Sequence, residues 1–302
     1  MLGYVSFATV ARIVQWLPLR VARRLARWLG LLLYHFIPIR KGLTLAQLRR
    51  AFPEMSDTEI RRIAQGSYVN LITTMFEMMW IPRLTDDIIA EQIHVLNPEV
   101  FTNALRRGKG MILMTGHFGN WEWMSVGTAR LFKQSYTVVV HPIHNPGVDR
   151  LVEHWRTMYG NRIVPMGLAI REIIRTLRER GVVAMIADQS GPSGSYYVRL
   201  FGRHAATYEG PAVFALRSGA PVLMGLSVRR PDGSYELEIE ELPTQDLKGL
   251  TDENLHELTR RHVRALERGI RKHPELWLWQ HKRWKHNPHA ESVLIEDPED
   301  NQ

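Results

Sequence analysis

From residue 21 onward, Val21, Leu25, Trp28, Leu29, Leu32, Leu33 and Phe36 repeat at helical spacing, whereas Arg20, Arg23, Arg24 and Arg27 fall largely on the other face. This pattern predicts a basic amphipathic helix. Residues 41–90 continue in helical texture. The break at Phe52-Pro53-Glu54-Met55 is followed by Ser56 and Glu59 in capping-box spacing, which starts a new helix. A soft apolar cluster of Met75, Phe76, Met78, Met79 and Trp80 closes this half and is read as core.

The texture changes at Ile93. Short apolar runs at 111–114, 137–140, 182–187 and 221–228 predict buried strands, and helical patterns at 121–132, 148–158 and 169–180 fill the gaps. Pro231-Asp232-Gly233-Ser234 predicts a hairpin turn into 235–241, an alternating strand expected at the edge of the sheet. Strand and helix in alternation imply right-handed crossovers, hence an α/β fold with a mostly parallel central sheet flanked by helices. The expected organisation is a helical N-terminal region over 1–90, an α/β domain over 91–287, and an acidic, disordered tail over 288–302.

Sites in such sheets gather at the carboxyl ends of the strands. His117 follows one predicted strand end, His141 a second and Asp188 a third, so the three are candidates to converge. His117 sits in Thr115-Gly116-His117-Phe118-Gly119-Asn120-Trp121-Glu122, a strand-to-helix turn whose glycines permit close approach of another molecule. Asn120 is a candidate N-cap, with Glu122 in the first helical turn, where the dipole favours a carboxylate and disfavours a charged imidazole. A neutral His117 is able to accept a proton.

Charge and composition refine this picture. Residues 1–62 carry 11 Lys/Arg and 3 Asp/Glu, and the other residues carry 28 of each, so the net charge of +8 lies wholly in the N-terminal arm. Arg12, Pro18 and the arginine cluster interrupt the apolar sequence short of the roughly 20 residues a bilayer span needs. No signal-peptide order of charged start, apolar core and small-residue cleavage site is present. The expected partner is an anionic membrane surface, with Trp16, Trp28 and Tyr34 at headgroup level. Nucleic acid is disfavoured, because basic arms that bind it rarely interleave so much Leu, Trp and Val. The chain has no cysteine, which excludes disulfides and thiolate chemistry.

Other chemistries fall away. His141-Pro-Ile-His144 lacks a third ligand in the same segment, so no metal is expected. Gly191-Pro-Ser-Gly-Ser is not a nucleophile elbow, because Ser195 stands where glycine is required. Phosphate-cradling and dinucleotide fingerprints are absent. A histidine base without a protein nucleophile suits direct transfer, in which a deprotonated acceptor hydroxyl attacks an activated acyl group. No cofactor is required.

The stretch His117-Phe-Gly-Asn-Trp-Glu122 resembles the His-x4-acid signature of glycerolipid and lysophospholipid acyltransferases, in the variant of the bacterial lipid A late (lauroyl/myristoyl) acyltransferase family. Ala187-Asp188-Gln189 with Val198-Arg-Leu-Phe-Gly202 and Ala205, Gly219-Ala-Pro-Val222, and Pro274-Glu-Leu-Trp-Leu-Trp279 with His281, Arg283, Trp284 and Lys285 are similar to later blocks in the same order. Ala51-Phe-Pro-Glu54 fits upstream, although Gln47 stands where members usually carry Asn. The resemblance covers about residues 10–287. It implies a glycerol-3-phosphate acyltransferase-like fold on the cytoplasmic face of the inner membrane. The activity implied is transfer of a fatty acyl chain from acyl carrier protein, or from acyl-CoA, to a hydroxyl of a membrane glycolipid such as a lipid A precursor. It further implies His117 as general base, Glu122 and Asp188 as catalytic carboxylates, and Gly119, Asn120, Arg156 and Gln189 as substrate-binding residues. Either Glu122 or Asp188 is expected to hold the His117 ring, with Glu122 slightly ahead, and backbone amides after His117 or near Gly191 are candidates for the oxyanion hole. An amino-lipid or lysophospholipid acceptor and a non-catalytic lipid-binding protein are the alternatives.

Overall fold

Ser56 starts the long helix that its spacing to Glu59 predicts: its hydroxyl accepts from the Glu59 N–H while the Glu59 carboxylate accepts from the Ser56 N–H. This helix belongs to the helical opening of the chain in the computed structural model, which describes residues 2–37, 39–289 and 292–295. The opening comprises α1 (Leu2–Trp16), α2 (Leu19–Phe36), α3 (Lys41–Ala51), α4 (Asp57–Trp80) and α5 (Asp86–Gln92). The alternating part runs β1 (Ile93–Val95), α6 (Pro98–Arg106), β2 (Met111–Thr115), α7 (Trp121–Leu131), β3 (Tyr136–Val140), α8 (Pro146–Thr157), β4 (Arg162–Pro165), α9 (Ala169–Arg178) and β5 (Val182–Ile186). It continues with β6 (Tyr196–Leu200), β7 (Arg203–Thr207), α10 (Gly210–Ser218), β8 (Val222–Arg229), β9 (Tyr235–Leu242), α11 (Asp252–Lys272) and β10 (Leu294–Ile295).

The main sheet has the order β1-β9-β8-β2-β5-β3-β4. From β8 to β4 all neighbours are parallel, and β9 returns antiparallel to β8. The mostly parallel sheet expected from the alternation is therefore present. Strand β9 is not its edge, however: Ile93–Val95, too short to stand out in the sequence, pairs alongside it. A second, three-stranded sheet, β10-β6-β7, lies outside the predicted set. Within the stretch expected to be a disordered tail, Leu294–Ile295 pair with Tyr197 and Val198, and Ile295 is buried. Residues 290, 291 and 296–302 of that stretch lie outside the described residues.

Helix α2 has three faces rather than two. Ala22, Ala26, Gly30 and Tyr34, four residues apart, form the buried seam against α4. Gly30 is required there, because a Cβ would stand 2.7 Å from the Cα of Val69. The arginines form a second stripe. The large apolar residues form a third, and it is exposed, with Trp28 at 72% and Phe36 at 79%. Helix α1 adds Val5, Val10, Ile13 and Trp16 to the exposed apolar residues. No helix among the described residues is long and apolar enough to cross a membrane. The Met/Trp cluster at the end of α4 does pack as core, with Met78, Met79 and Trp80 buried.

Candidate active site

The register of the two central strands builds the site. β2 and β5 run parallel with Met111 opposite Val182 and Thr115 opposite Ile186. Two residues beyond each carboxyl end, His117 and Asp188 face one another. His117 Nδ1 lies 2.7 Å from Asp188 Oδ1, and the His117 backbone N–H donates to Asp188 Oδ2 at 2.7 Å. Trp277 Nε1 donates to the same Oδ2 at 2.8 Å. Burial of Asp188 works against its charge, but His117 and these hydrogen bonds outweigh it and hold the carboxyl below its ordinary value. With the Nδ1 proton directed at Asp188, Nε2 carries the free lone pair. The His117 ring is partly exposed and packs edge-on against Trp121.

Asp188, not Glu122, thus holds the ring. Glu122, the second residue of α7, instead accepts from Arg156 Nε at 2.9 Å and Nη2 at 2.5 Å. Burial opposes its charge, yet Arg156 keeps it below the ordinary carboxylate value. The fork of Arg156, expected to grip a substrate anion, is spent on Glu122. Nη1 remains without a hydrogen-bond partner among the described residues. Gln189 brings Nε2 to 3.4 Å from His117 Nε2, a long contact at the open side of the ring. His141, at the end of β3 two strands from β2, is exposed and makes no hydrogen bond to either partner.

Gly119 and Asn120 do not face the opening. Gly119 has a φ of 56°, and a Cβ there would lie 1.9 Å from the Ser227 carbonyl oxygen, so only glycine fits. Its carbonyl accepts from Asn70 and Thr74. Asn120 caps α7 by accepting from the Trp123 N–H, and its side chain donates to Glu77 Oε2 at 2.8 Å. The expected oxyanion amides are also committed: Phe118 N–H to Gly116 O, Gly119 N–H to Leu276 O, Asn120 N–H to Ser227 Oγ, and Gly191 N–H to Ala206 O. Buried amides need internal partners, and here they have them.

Two groups secure this loop, one known from the sequence only as a family block without a role and the other passed over altogether. The C-terminal Trp-x-Trp segment lies across it: Leu278 N–H donates to His117 O, and Trp277 bridges to Phe118. Gln47 of α3 fixes that segment by donating to the carbonyls of Trp279 and His281 and accepting from the Arg283 N–H. The other is Glu77 of α4, fully buried and bound by Arg23, Arg229, Tyr235 and Asn120. Its signal was present, a lone carboxylate inside the Met/Trp cluster. Beside Ala187 an apolar cavity of about 310 Å3 is lined by Met166, Ile170, Ile173, Ile186, Val213 and Phe214 among others. A base held by its carboxylate can receive a hydroxyl, and an apolar cavity lined by Ala187, the residue before that carboxylate, can receive a hydrocarbon chain.

A family model described as bacterial lipid A biosynthesis acyltransferase matches residues 2–286. The chain is 29% identical to the lipid A biosynthesis lauroyltransferase of Escherichia coli K12 over 278 residues, 90% of this chain and 88% of that one. It is 26% identical to the lipid A biosynthesis palmitoleoyltransferase of the same organism, over 92% of this chain and 89% of that one. A phosphatidylinositol mannoside acyltransferase of Mycolicibacterium smegmatis is 24% identical over 166 residues, 54% of this chain and 53% of that one.

Proposed function

The chain belongs to the bacterial lipid A biosynthesis acyltransferase family, since its model covers all but the C-terminal end, and from that premise we propose that His117 is the general base of acyl transfer from a thioester of acyl carrier protein to a hydroxyl of a lipid A precursor. The observation that carries this reading is the His117–Asp188 pair at the carboxyl ends of β2 and β5, which leaves Nε2 of a partly exposed ring as the proton acceptor. The acceptor hydroxyl gives its proton to Nε2, and its oxygen bonds to the acyl carbon. The carbon–sulfur bond then breaks, and the imidazolium, stabilised by Asp188, returns the proton to the departing thiolate. Gln189 is the side-chain donor nearest the reacting atoms and takes the oxyanion role for which the backbone amides are not free. Arg156 Nη1 meets an anionic group of the donor or acceptor.

Mass spectrometry of total lipids from a deletion strain tests the reading: a lipid A species lacking one acyl chain is expected, and an unchanged lipid A with another lipid under-acylated would reassign the acceptor. Arg156→Lys is expected to raise KM about tenfold with the fold intact, because an ammonium cannot serve Glu122 and a phosphate in one plane. Unchanged kinetics would leave Arg156 as the partner of Glu122 alone.

The cavity beside Ala187 takes the acyl chain. Val213→Trp fills part of it and is expected to shift donor preference to shorter chains, lowering kcat/KM for the best wild-type donor about tenfold. That is the cost of unburying about two methylenes at roughly 0.8 kcal/mol each. An unaltered chain-length profile would place the acyl chain elsewhere.

The exposed apolar faces of α1 and α2 seat the enzyme in the membrane interface at the cytoplasmic side. Trp28→Glu/Leu32→Glu is expected to abolish flotation with anionic vesicles without lowering Tm, since both side chains are exposed. Resistance to alkaline carbonate with the helix ends mapped to opposite sides would instead mean that the arm spans.

A further inference from the structure

The arginines of α2 do more than tile a surface. Arg20, Arg23, Arg24 and Arg27 line one side of a cleft of about 630 Å3, and Arg229 and Arg230, from the end of β8 and the turn after it, line the other. Helix α4 forms the floor with Val69, Asn70 and Thr73. The turn is seated on the cation: at Gly233, with φ 93°, a Cβ would stand 2.8 Å from Arg23 Nη1. Arg23 and Arg229 share the single carboxylate of Glu77, and Arg230 pairs with Glu236. Arg20, Arg24 and Arg27 are exposed and have no carboxylate partner among the described residues. The cleft therefore keeps an excess of fixed positive charge, although Asp232 and Glu275 also border it.

Two buried side-chain atoms of residues that line it have no hydrogen-bond partner among the described residues. One is a donor, Arg23 Nη2, and the other an acceptor, Asn70 Oδ1. Buried polar atoms are normally satisfied, so an orphan donor and an orphan acceptor in one cleft describe the ligand that would satisfy both. It carries an anionic oxygen and a hydroxyl. Guanidinium groups match phosphate oxygens in particular. The cleft adjoins the exposed apolar stripe of α2, so such a ligand arrives with its hydrocarbon already in the bilayer.

We propose that this cleft is a binding site for a hydroxyl-bearing phosphate ester in a lipid headgroup, separate from the His117 centre. The proposal deepens the membrane-interface reading and rests on it only for the source of the ligand. That source is either a bilayer phospholipid with a polyol headgroup or the phosphosugar of the acceptor.

The experiment uses soluble probes below their micelle concentration, so that a failure of membrane attachment does not decide it. Dihexanoyl phosphatidylglycerol, dihexanoyl phosphatidylmethanol, dihexanoyl phosphatidylcholine and glucosamine 1-phosphate are titrated into the full chain by calorimetry. Saturable binding is expected for phosphatidylglycerol or glucosamine 1-phosphate, and the tighter of the two names the source. Phosphatidylmethanol, which lacks the hydroxyl, is expected to bind about fivefold more weakly than phosphatidylglycerol. Arg24→Gln/Arg27→Gln is expected to weaken binding roughly thirtyfold. The charge-matched Lys133→Gln/Arg178→Gln, exposed and outside the cleft, is expected to leave it unchanged. Absence of saturable binding, equal affinity for the choline or methanol lipid, or equal losses in the two double variants would overturn the proposal. Loss of vesicle flotation with probe binding intact would overturn the membrane reading and spare the cleft.

Discussion

His117→Ala is expected to abolish acyl transfer in a folded protein, and Asp188→Asn to lower kcat by about 10^3–10^4-fold. The second effect follows from the hydrogen-bond pattern around Asp188. Its carboxylate accepts three hydrogens, from the His117 N–H, His117 Nδ1 and Trp277 Nε1. An asparagine has one oxygen and a donating amide, so the two main anchors at Oδ2 survive only if the NH2 faces Nδ1. That forces the proton to Nε2 and removes the lone pair that takes the hydroxyl proton. Glu122→Gln breaks the pair with Arg156 and leaves the His117–Asp188 contact in place, so a much smaller loss of kcat is expected. The measurement is single-turnover acyl transfer with each variant checked by circular dichroism. Equal losses for Asp188→Asn and Glu122→Gln would return Glu122 to the role of orienter. Full activity in folded His117→Ala would remove the base from the mechanism.

Glu77→Gln is expected to be the most destabilising of the conservative substitutions, by about 3–5 kcal/mol, because it leaves buried guanidinium charge uncompensated. Arg23 and Arg229 both bond to Glu77, and Tyr235 and Asn120 donate to it as well. Burial alone would raise the Glu77 pKa, but Arg229 and Arg23 with these hydrogen bonds win and hold the carboxyl below its ordinary value. A carboxyl lowered on folding contributes stability above its unfolded pKa and loses it as pH falls through the folded one. The wild type is therefore expected to lose stability below about pH 4.5 more steeply than Glu77→Gln does, and the two are expected to converge in acid. At neutral pH the variant should melt on the order of 10 °C lower. A drop of less than about 1 kcal/mol in urea unfolding would mean that the network is not held by the Glu77 charge. Loss of activity beyond the loss of folded protein is also expected, because Asn120, which caps α7 directly after the His117 loop, hangs on the same carboxylate.

Whereas β1, β4, β6, β7 and β10 did not stand out, helices α2 and α4 and strands β2, β3, β5, β8 and β9 were legible because helical and strand periodicity are set by neighbours a few residues apart. So were the capping box at Ser56, the hairpin turn at Pro231–Ser234, and the placement of His117 on a strand-to-helix turn. The sequence by itself also determined that the excess charge lies in a Leu/Trp-rich arm and that no thiol chemistry is possible. What tertiary structure alone decided involves long separations. The His117–Asp188 pair spans 71 positions and the Tyr235–Glu77 bond 158. Family resemblance put Glu122 slightly ahead although its five-residue spacing let the side chains diverge, and the parallel register of β2 and β5 puts Asp188 opposite the ring and leaves Glu122 to Arg156. Periodicity likewise sorted α2 into apolar and basic faces without saying which packs. Close helix packing selected the small residues Ala22, Ala26 and Gly30 for the seam, because only they let α2 approach α4. The large apolar stripe was thereby turned outward, and the arginines were left to line a cleft.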